Sequence, residues 1–210
     1  MRYTRSLRYI QKKTVMARKV EFDIDKALHK AMKLFWLKGY VSTSMQDLVD
    51  TLGVNRFSLY NTFGDKRALF IKSLQHYRET VLAFLIKPLS EDKPAKQRVD
   101  DYLLLMADLL QSESAVLGCM IQNTGLSLIS QDSEVSRMLV AMFDDLRCAL
   151  KATILEVIQE EGVSQKYNPD VLADFILSQI QGLIILRKTL GSLTEIDKQV
   201  GLLRTTVASW

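Results

Sequence analysis

The sequence predicts an all-α chain of about nine helices, and three observations carry that expectation. Apolar residues recur at helical spacing in segment after segment of the 210 residues, and nothing alternates with period two over a useful length. Only 9 Gly and 3 Pro are present, too few for a turn-dense all-β fold or for Pro-rich linkers. An apolar fraction of 48% beside 25% charged residues is enough to build a core and excludes wholesale disorder. The length suits one domain or two small ones.

The elements follow in order. Residues 1–20 carry seven bases and no acid (Arg2, Arg5, Arg8, Lys12, Lys13, Arg18 and Lys19). They lack the apolar stretch of a secretory signal, although a mitochondrial-type presequence shares their composition. Met16 offers a second start, which would make 1–15 an extension. From Asp23 to Lys38, the residues Ala27, Leu28, Ala31, Leu34 and Phe35 form one apolar stripe, and Gly39 is a natural stop. Thr43 or Ser44 then caps a short helix from Met45 to about Leu52, with Asp47 in its first turn, where a carboxylate favours the helix dipole. Gly53 ends it. A third short helix spans about Arg56 to Thr62, and Asp65 caps a long fourth one to about Ile86. After a polar break around Pro88 and Ser90–Pro94, helices are expected over about 94–112, 117–130, 133–161, 169–190 and 195–208.

Charge and composition narrow the function classes. The formal net charge of +4 divides unevenly: +7 in residues 1–20, +2 in 21–75 and −5 in 76–210. A basic amino-terminal third points to a polyanion partner. Two Cys cannot make a disulfide framework or a four-Cys zinc site, and two distant His, His29 and His76, make no metal helix. No metal or cofactor is expected. No Ser-His-Asp arrangement or phosphate loop supports an enzyme, and only Cys119 stands as a conceivable nucleophile. Apolar runs such as Val81–Ile86 are too short for a membrane span.

The information is concentrated in residues 43–66. Two short helices joined by a Gly-containing turn inside a basic segment suggest a helix-turn-helix. Leu48, Val49, Leu52, Val54, Leu59 and Phe63 are suited to packing the two helices together. Asn55, Arg56, Ser58, Tyr60, Asn61 and Thr62 crowd onto a helix only two turns long, which cannot bury that many polar groups without partners. Major-groove base edges and phosphates are economical partners. Lys66, opening the next helix, suits a phosphate contact.

The runs Phe35-Trp36-Leu37-Lys38-Gly39-Tyr40, Thr43-Ser44-Met45 and Leu59-Tyr60-Asn61-Thr62-Phe63-Gly64-Asp65-Lys66-Arg67-Ala68-Leu69-Phe70 resemble the TetR family of bacterial repressors over about residues 20–75. Gly118-Cys119-Met120-Ile121-Gln122-Asn123 is similar to a stretch found in an AcrR-like subgroup. The resemblance implies a basic tail (1–20), a three-helix DNA-binding domain (21–70) and a helical ligand-binding and dimerisation domain (71–210). It implies a cytoplasmic homodimer on a palindromic double-stranded operator, released by a small hydrophobic ligand, with the last two long helices pairing between subunits. By position it makes Ser44, Gln46, Asn55, Arg56, Ser58, Tyr60, Asn61 and Lys66 the DNA-contact candidates. Two positions depart from the family pattern: Phe57, usually small, and Asn55, often Ser or Thr. Phe57 suits a thymine methyl or crowds the groove. Arg18-Lys19-Val20-Glu21-Phe22-Asp23 resembles the basic lead-in of many relatives.

In the second half, Tyr102, Met106, Met120, Met138, Met142 and Phe143 are either plain core or, collectively, the adaptable lining of a hydrophobic pocket. The ligand-contact candidates are Tyr102, Met106, Cys119, Asn123, Met142 and Gln179. Cys119 is either a small buried apolar residue or an oxidant or electrophile sensor near a helix start. Residues 171–190 are apolar nearly all round, which dimerisation explains better than a monomer core. A helix-turn-helix protein without an inducer, organising DNA or docking a partner, is the alternative.

Overall fold

A computed structural model describes residues 22–128, 132–162, 168–191 and 195–209. The expectations for the basic tail and for Arg18 and Lys19 lie outside these residues. Among the described residues there are nine α-helices of eight residues or more. They are α1 (Ile24–Lys38), α2 (Met45–Leu52), α3 (Arg56–Phe63), α4 (Lys66–Tyr77), α5 (Ala95–Gln111), α6 (Met120–Leu128), α7 (Ser133–Glu161), α8 (Pro169–Leu190) and α9 (Ile196–Ala208).

Capping chemistry sets the first four. Asp23 accepts from the Lys26 amide at 3.0 Å and starts α1. Ser44 and Asp47 form a reciprocal capping box on α2: the Asp47 amide donates to Ser44 Oγ at 3.0 Å, and the Ser44 amide donates to Asp47 Oδ2 at 2.8 Å. Asn55 caps α3 through the Ser58 amide at 2.8 Å, and Asp65 caps α4 through the Ala68 amide at 2.7 Å. The α2–α3 turn passes through Gly53 at φ 69°, a left-handed conformation that glycine adopts without steric cost.

Two expected helices differ in detail. The helix expected to run unbroken to Ile86 is α-helical only to Tyr77. It continues through a π-helical segment, Arg78–Leu82, one α-helical turn, Ala83–Ile86, and a 3-10 turn, Lys87–Ser90. The helix expected from about residue 117 starts at Met120. A 3-10 turn, Glu113–Leu117, precedes it, and Gly118 at φ 66° breaks the two apart.

The core is continuous through both halves. Met32, Phe35, Leu48, Leu59, Leu69, Phe70 and Leu74 close the amino-terminal bundle, with Phe35 edge-on to Phe70 at 5.0 Å between ring centres. Tyr102, Leu103, Met106, Leu139, Met142, Leu146, Leu150, Ile176 and Ile180 fill the second half, where α5 packs on α7 and α9, and α7 on α8. Helix α8 is long and apolar enough, by length and composition alone, to cross a membrane. Here Leu172, Ile176, Ile180 and Leu183 enter the core, while Val171, Leu186 and Leu190 remain exposed. Val140 and Leu155 of α7 are likewise exposed.

Side chains of α1 and α4 tie the halves together. Arg67 holds Asp132 with two hydrogen bonds, 2.7 and 3.0 Å, and Glu134 with one of 2.8 Å. Arg78 holds Asp145 at 2.7 and 2.8 Å. The Trp36 indole Nε1 donates to the Gly118 carbonyl at 3.0 Å, and its ring stands edge-on to Tyr77 at 5.1 Å.

Candidate nucleic-acid interface

Helix α3 buries Leu59 and Phe63 and turns Arg56, Phe57, Tyr60 and Asn61 outward. At 100° per residue these four span about 140° of the helix surface, a single face. The Arg56 guanidinium lies 5.8 Å from the centre of the Tyr60 ring, an i, i+4 pairing that holds both side chains extended on that face. Asn55 sits just before the helix, with its side-chain oxygen engaged as the cap. Ser58 and Thr62 are half-buried at the edges. Leu48, Leu52 and Val54 are buried and Val49 half-buried, so the side chains expected to join α2 to α3 do so.

The α2 candidates are already engaged. Ser44 Oγ donates to Asp47 Oδ2 at 2.7 Å while serving as the cap, and Gln46 Nε2 donates to Asp50 at 2.8 Å. Lys38 pairs with Asp47 at 2.6 Å. That lysine, followed by the Ser44 backbone and hydroxyl, holds the Asp47 carboxyl well below the usual carboxylate range. Lys66 is half-buried with its Nζ 4.5 Å from the centre of the Tyr40 ring. Burial lowers its pKa, and the Asp47 charge opposes that. Tyr40 is thus the shelf that aims Lys66, a role that no helical periodicity announces because Tyr40 lies in the α1–α2 loop.

Tyr102 and Cys119 lie close enough to interact, but neither of two clefts, one against the α4 extension and one against α9, collects the candidates of the second half, and only Met142 lines one of them. Tyr102, Met106, Cys119 and Met142 are buried. Asn123 is half-buried and satisfied at both ends: its amide donates to the Leu117 carbonyl at 2.8 Å, and its oxygen accepts from Lys188 Nζ at 2.8 Å. Gln179 is exposed on α8 and takes no place among them. Gln181, two residues on and about 200° round the helix, is the glutamine that faces Cys119, and its side-chain oxygen is buried without a partner. Burial pushes the Cys119 thiol up. The Gln122 and Ile121 amides work against that, followed by the Tyr77 hydroxyl and Gln181. A cleft of about 1020 Å³ opens between the α4 extension and α7, lined in part by Arg78, Phe84, Met138, Met142 and Asp145. A second, of about 1240 Å³, lies between α5, α7 and α9, with Asp100, Leu103, Ile154 and Arg204 on its walls.

One contact joins residues that sequence reading treats as unrelated. His29 Nδ1 and His76 Nε2 are 3.3 Å apart across the α1–α4 interface, with their rings edge-on. Among the described residues no group of three or more potential metal ligands occurs.

Comparison with known proteins agrees with this architecture. Residues 27–72 match the family described as "Bacterial regulatory proteins, tetR family". The chain is 30% identical over 158 residues to the uncharacterized HTH-type transcriptional regulator YezE of Bacillus subtilis, covering 75% of this chain and 81% of that one. It is 29% identical over 190 residues to the HTH-type transcriptional repressor ComR of Escherichia coli, covering 90% and 89%. In fold it is similar to the TetR family transcriptional regulator CifR, solved as a cysteine mutant with 26-bp double-strand operator DNA. The TM-score is 0.78 at 23% identity, with 92% of this chain and 100% of that one covered.

Proposed function

The chain belongs to the TetR family of helix-turn-helix transcriptional regulators, and from that premise we propose that it is a repressor. In this reading it acts in the bacterial cytoplasm as a homodimer, binds a palindromic operator and leaves it when a small hydrophobic ligand occupies the second half. The observation that carries the reading is the outward face of α3. Arg56, Tyr60 and Asn61 stand together, without a covering element, on a helix held by its cap and by Leu59 and Phe63. Such a helix presents donors, acceptors and an aromatic ring to base edges, while Lys66 on its Tyr40 shelf addresses a phosphate. Residues 21–70 serve as the DNA-reading unit and 71–210 as the sensing and pairing unit. The Gly118–Asn123 stretch supports placing the chain in an AcrR-like subgroup.

The exposed apolar side chains of α7 and α8, among them Val140, Leu155, Val171, Leu186 and Leu190, favour pairing through these helices. A dimer places its two α3 helices in successive major grooves, so a change in their separation lowers affinity. Release is a population shift towards a conformer that the ligand prefers. Helix α4 carries the shift, because Lys66 lies at its start and Arg67 and Arg78 clasp α7.

The test is gel-shift or anisotropy titration against duplexes selected by the wild-type protein from a random pool. Tyr60→Ala is expected to weaken binding by about fivefold or more, at least ~1 kcal/mol. Lys66→Ala is expected to weaken binding evenly across sequences and to lower the salt slope by about 1. Wild-type affinity in both folded variants sinks the site assignment.

A second reading concerns regulation. Cys119 as an oxidant or electrophile sensor has nearby donors in its favour, but burial outweighs them and holds the thiol up, which favours the small buried apolar role. The sensor reading is checked by mass mapping of adducts after mild oxidant, with DNA affinity measured in parallel. An unmodified Cys119 with unchanged affinity ends it.

A further inference from the structure

Phe57 is 73% exposed, more than any other large apolar side chain of the amino-terminal four helices. It is the second residue of α3 and shares its outward face with Arg56, Tyr60 and Asn61. Among the described residues no ring or cation packs against it: Arg56 pairs with Tyr60, and the nearby aromatic contacts involve Phe22, Phe63, Phe35, Tyr40 and Phe70. The side chain contributes nothing to the fold of its own helix, whose core contacts are Leu59 and Phe63.

Resting on the DNA-binding reading above, we propose that Phe57 is a specificity-determining residue that selects a thymine through its C5-methyl group. The neighbouring groups on this face are polar. Arg56 donates, Asn61 donates and accepts, and the Tyr60 hydroxyl does both. Phe57 does neither, so it cannot satisfy the N7 and O6 acceptors of guanine, the N6 amine of adenine or the N4 amine of cytosine. Placed against any of these it strips water from a polar group and returns no hydrogen bond. The thymine methyl is the apolar feature of the major-groove edge, and burying it removes apolar surface of both partners from water. Residues at the start of a recognition helix are the ones that reach base edges, and Phe57 occupies that end of α3. The exposed ring is therefore matched to a methyl-bearing edge and mismatched to the other three.

The experiment uses the full chain and a duplex selected by the wild-type protein, with each thymidine replaced in turn by deoxyuridine, which lacks only the methyl group. The wild type is expected to lose about fourfold at one thymine per half-site, the effect of one methyl group leaving an apolar contact at ~0.8 kcal/mol. Phe57→Ala is expected to bind the parent duplex more weakly by at least that factor and to show no deoxyuridine penalty at that position. Its melting temperature should match the wild type, because the ring is exposed. Phe57→Leu should recover part of the penalty. The proposal is overturned if Phe57→Ala retains the wild-type deoxyuridine profile, or if it binds as tightly as wild type, which would leave the ring for a protein partner. If the wild type selects no duplex at all, the DNA-binding reading has failed and takes this one with it. Selection without deoxyuridine sensitivity sinks the Phe57 reading alone.

Discussion

Replacing Trp36 with Phe removes one hydrogen bond that ties α1 to the second half, together with part of the packed ring. The indole Nε1 donates to the Gly118 carbonyl at 3.0 Å, and both residues are half-buried. Phe keeps an aromatic ring at this position but removes the donor. A neutral hydrogen bond contributes a net 0.5–1.5 kcal/mol, and a fully buried orphan carbonyl costs about 1–3 kcal/mol. Water reaches a half-buried carbonyl, so the lower range applies and the expected loss is about 1 kcal/mol. Trp36→Ala also removes the edge-on contact with Tyr77, worth ~0.5–1.5 kcal/mol, and part of the packed ring area, for about 3 kcal/mol in all. Urea unfolding followed by circular dichroism at one fixed protein concentration measures both, with an unchanged m-value as the control for the denatured state. A Trp36→Phe variant within about 0.3 kcal/mol of wild type would refute the reasoning, because the bond would then have been replaced by water at no cost.

Asn55→Ala removes the α3 cap and should cost about 1 kcal/mol, measured by thermal unfolding, whereas Asn55→Ser should restore most of it. Burial first, then Lys33 and His76, lowers the His29 pKa below its ordinary 6.5. The folded state therefore binds fewer protons than the unfolded one in mild acid. The stabilisation is present above pH 6.5 and is lost as pH falls through the lower folded value. Lys33 and His76 both oppose a proton on His29, so His29→Gln should flatten the acid limb of a stability–pH curve. An identical limb in the variant counts against it. If the protein pairs through α7 and α8 as proposed, Leu186→Glu, which places a charge among the exposed apolar residues of α8, should shift it from dimer to monomer in sedimentation velocity at micromolar concentration. An unchanged sedimentation coefficient removes that face from the interface.

Where a local signal determines local structure, the sequence was readable. Ser44, with Thr43 as the alternative, and Asp65 read as caps from residue type, and each accepts from a backbone amide within its helix; Asn55, which reads as a DNA contact, is the cap of α3 instead. The outward face of α3 was legible for the same reason, as Leu59 and Phe63 fix which side is hidden. What resisted was everything decided by helices far apart in sequence. His29 and His76, 47 residues apart, read as two ordinary helix positions until α1 is laid on α4. Gln179 and Gln181 carry the same side chain, and only the rotation of α8 against Cys119 decides which one is inside. The π-helical segment after Tyr77 leaves no signature in the apolar spacing, which reads as one continuous helix to Ile86.

That segment has a mechanical meaning. From Lys66 to Tyr77 the α4 helix is 12 residues long. At 1.5 Å per residue, its ends lie about 17 Å apart. A π-helical turn is a local widening of the backbone and a natural fulcrum at the far end. A tilt of about 5° there displaces the Lys66 end by about 1.4 Å, which stretches a hydrogen bond of normal length past the distance at which it still holds. On the DNA-binding reading, a tilt too small to disturb the packing around Tyr77 would be amplified along this arm into a shift that a phosphate contact of Lys66 could not follow.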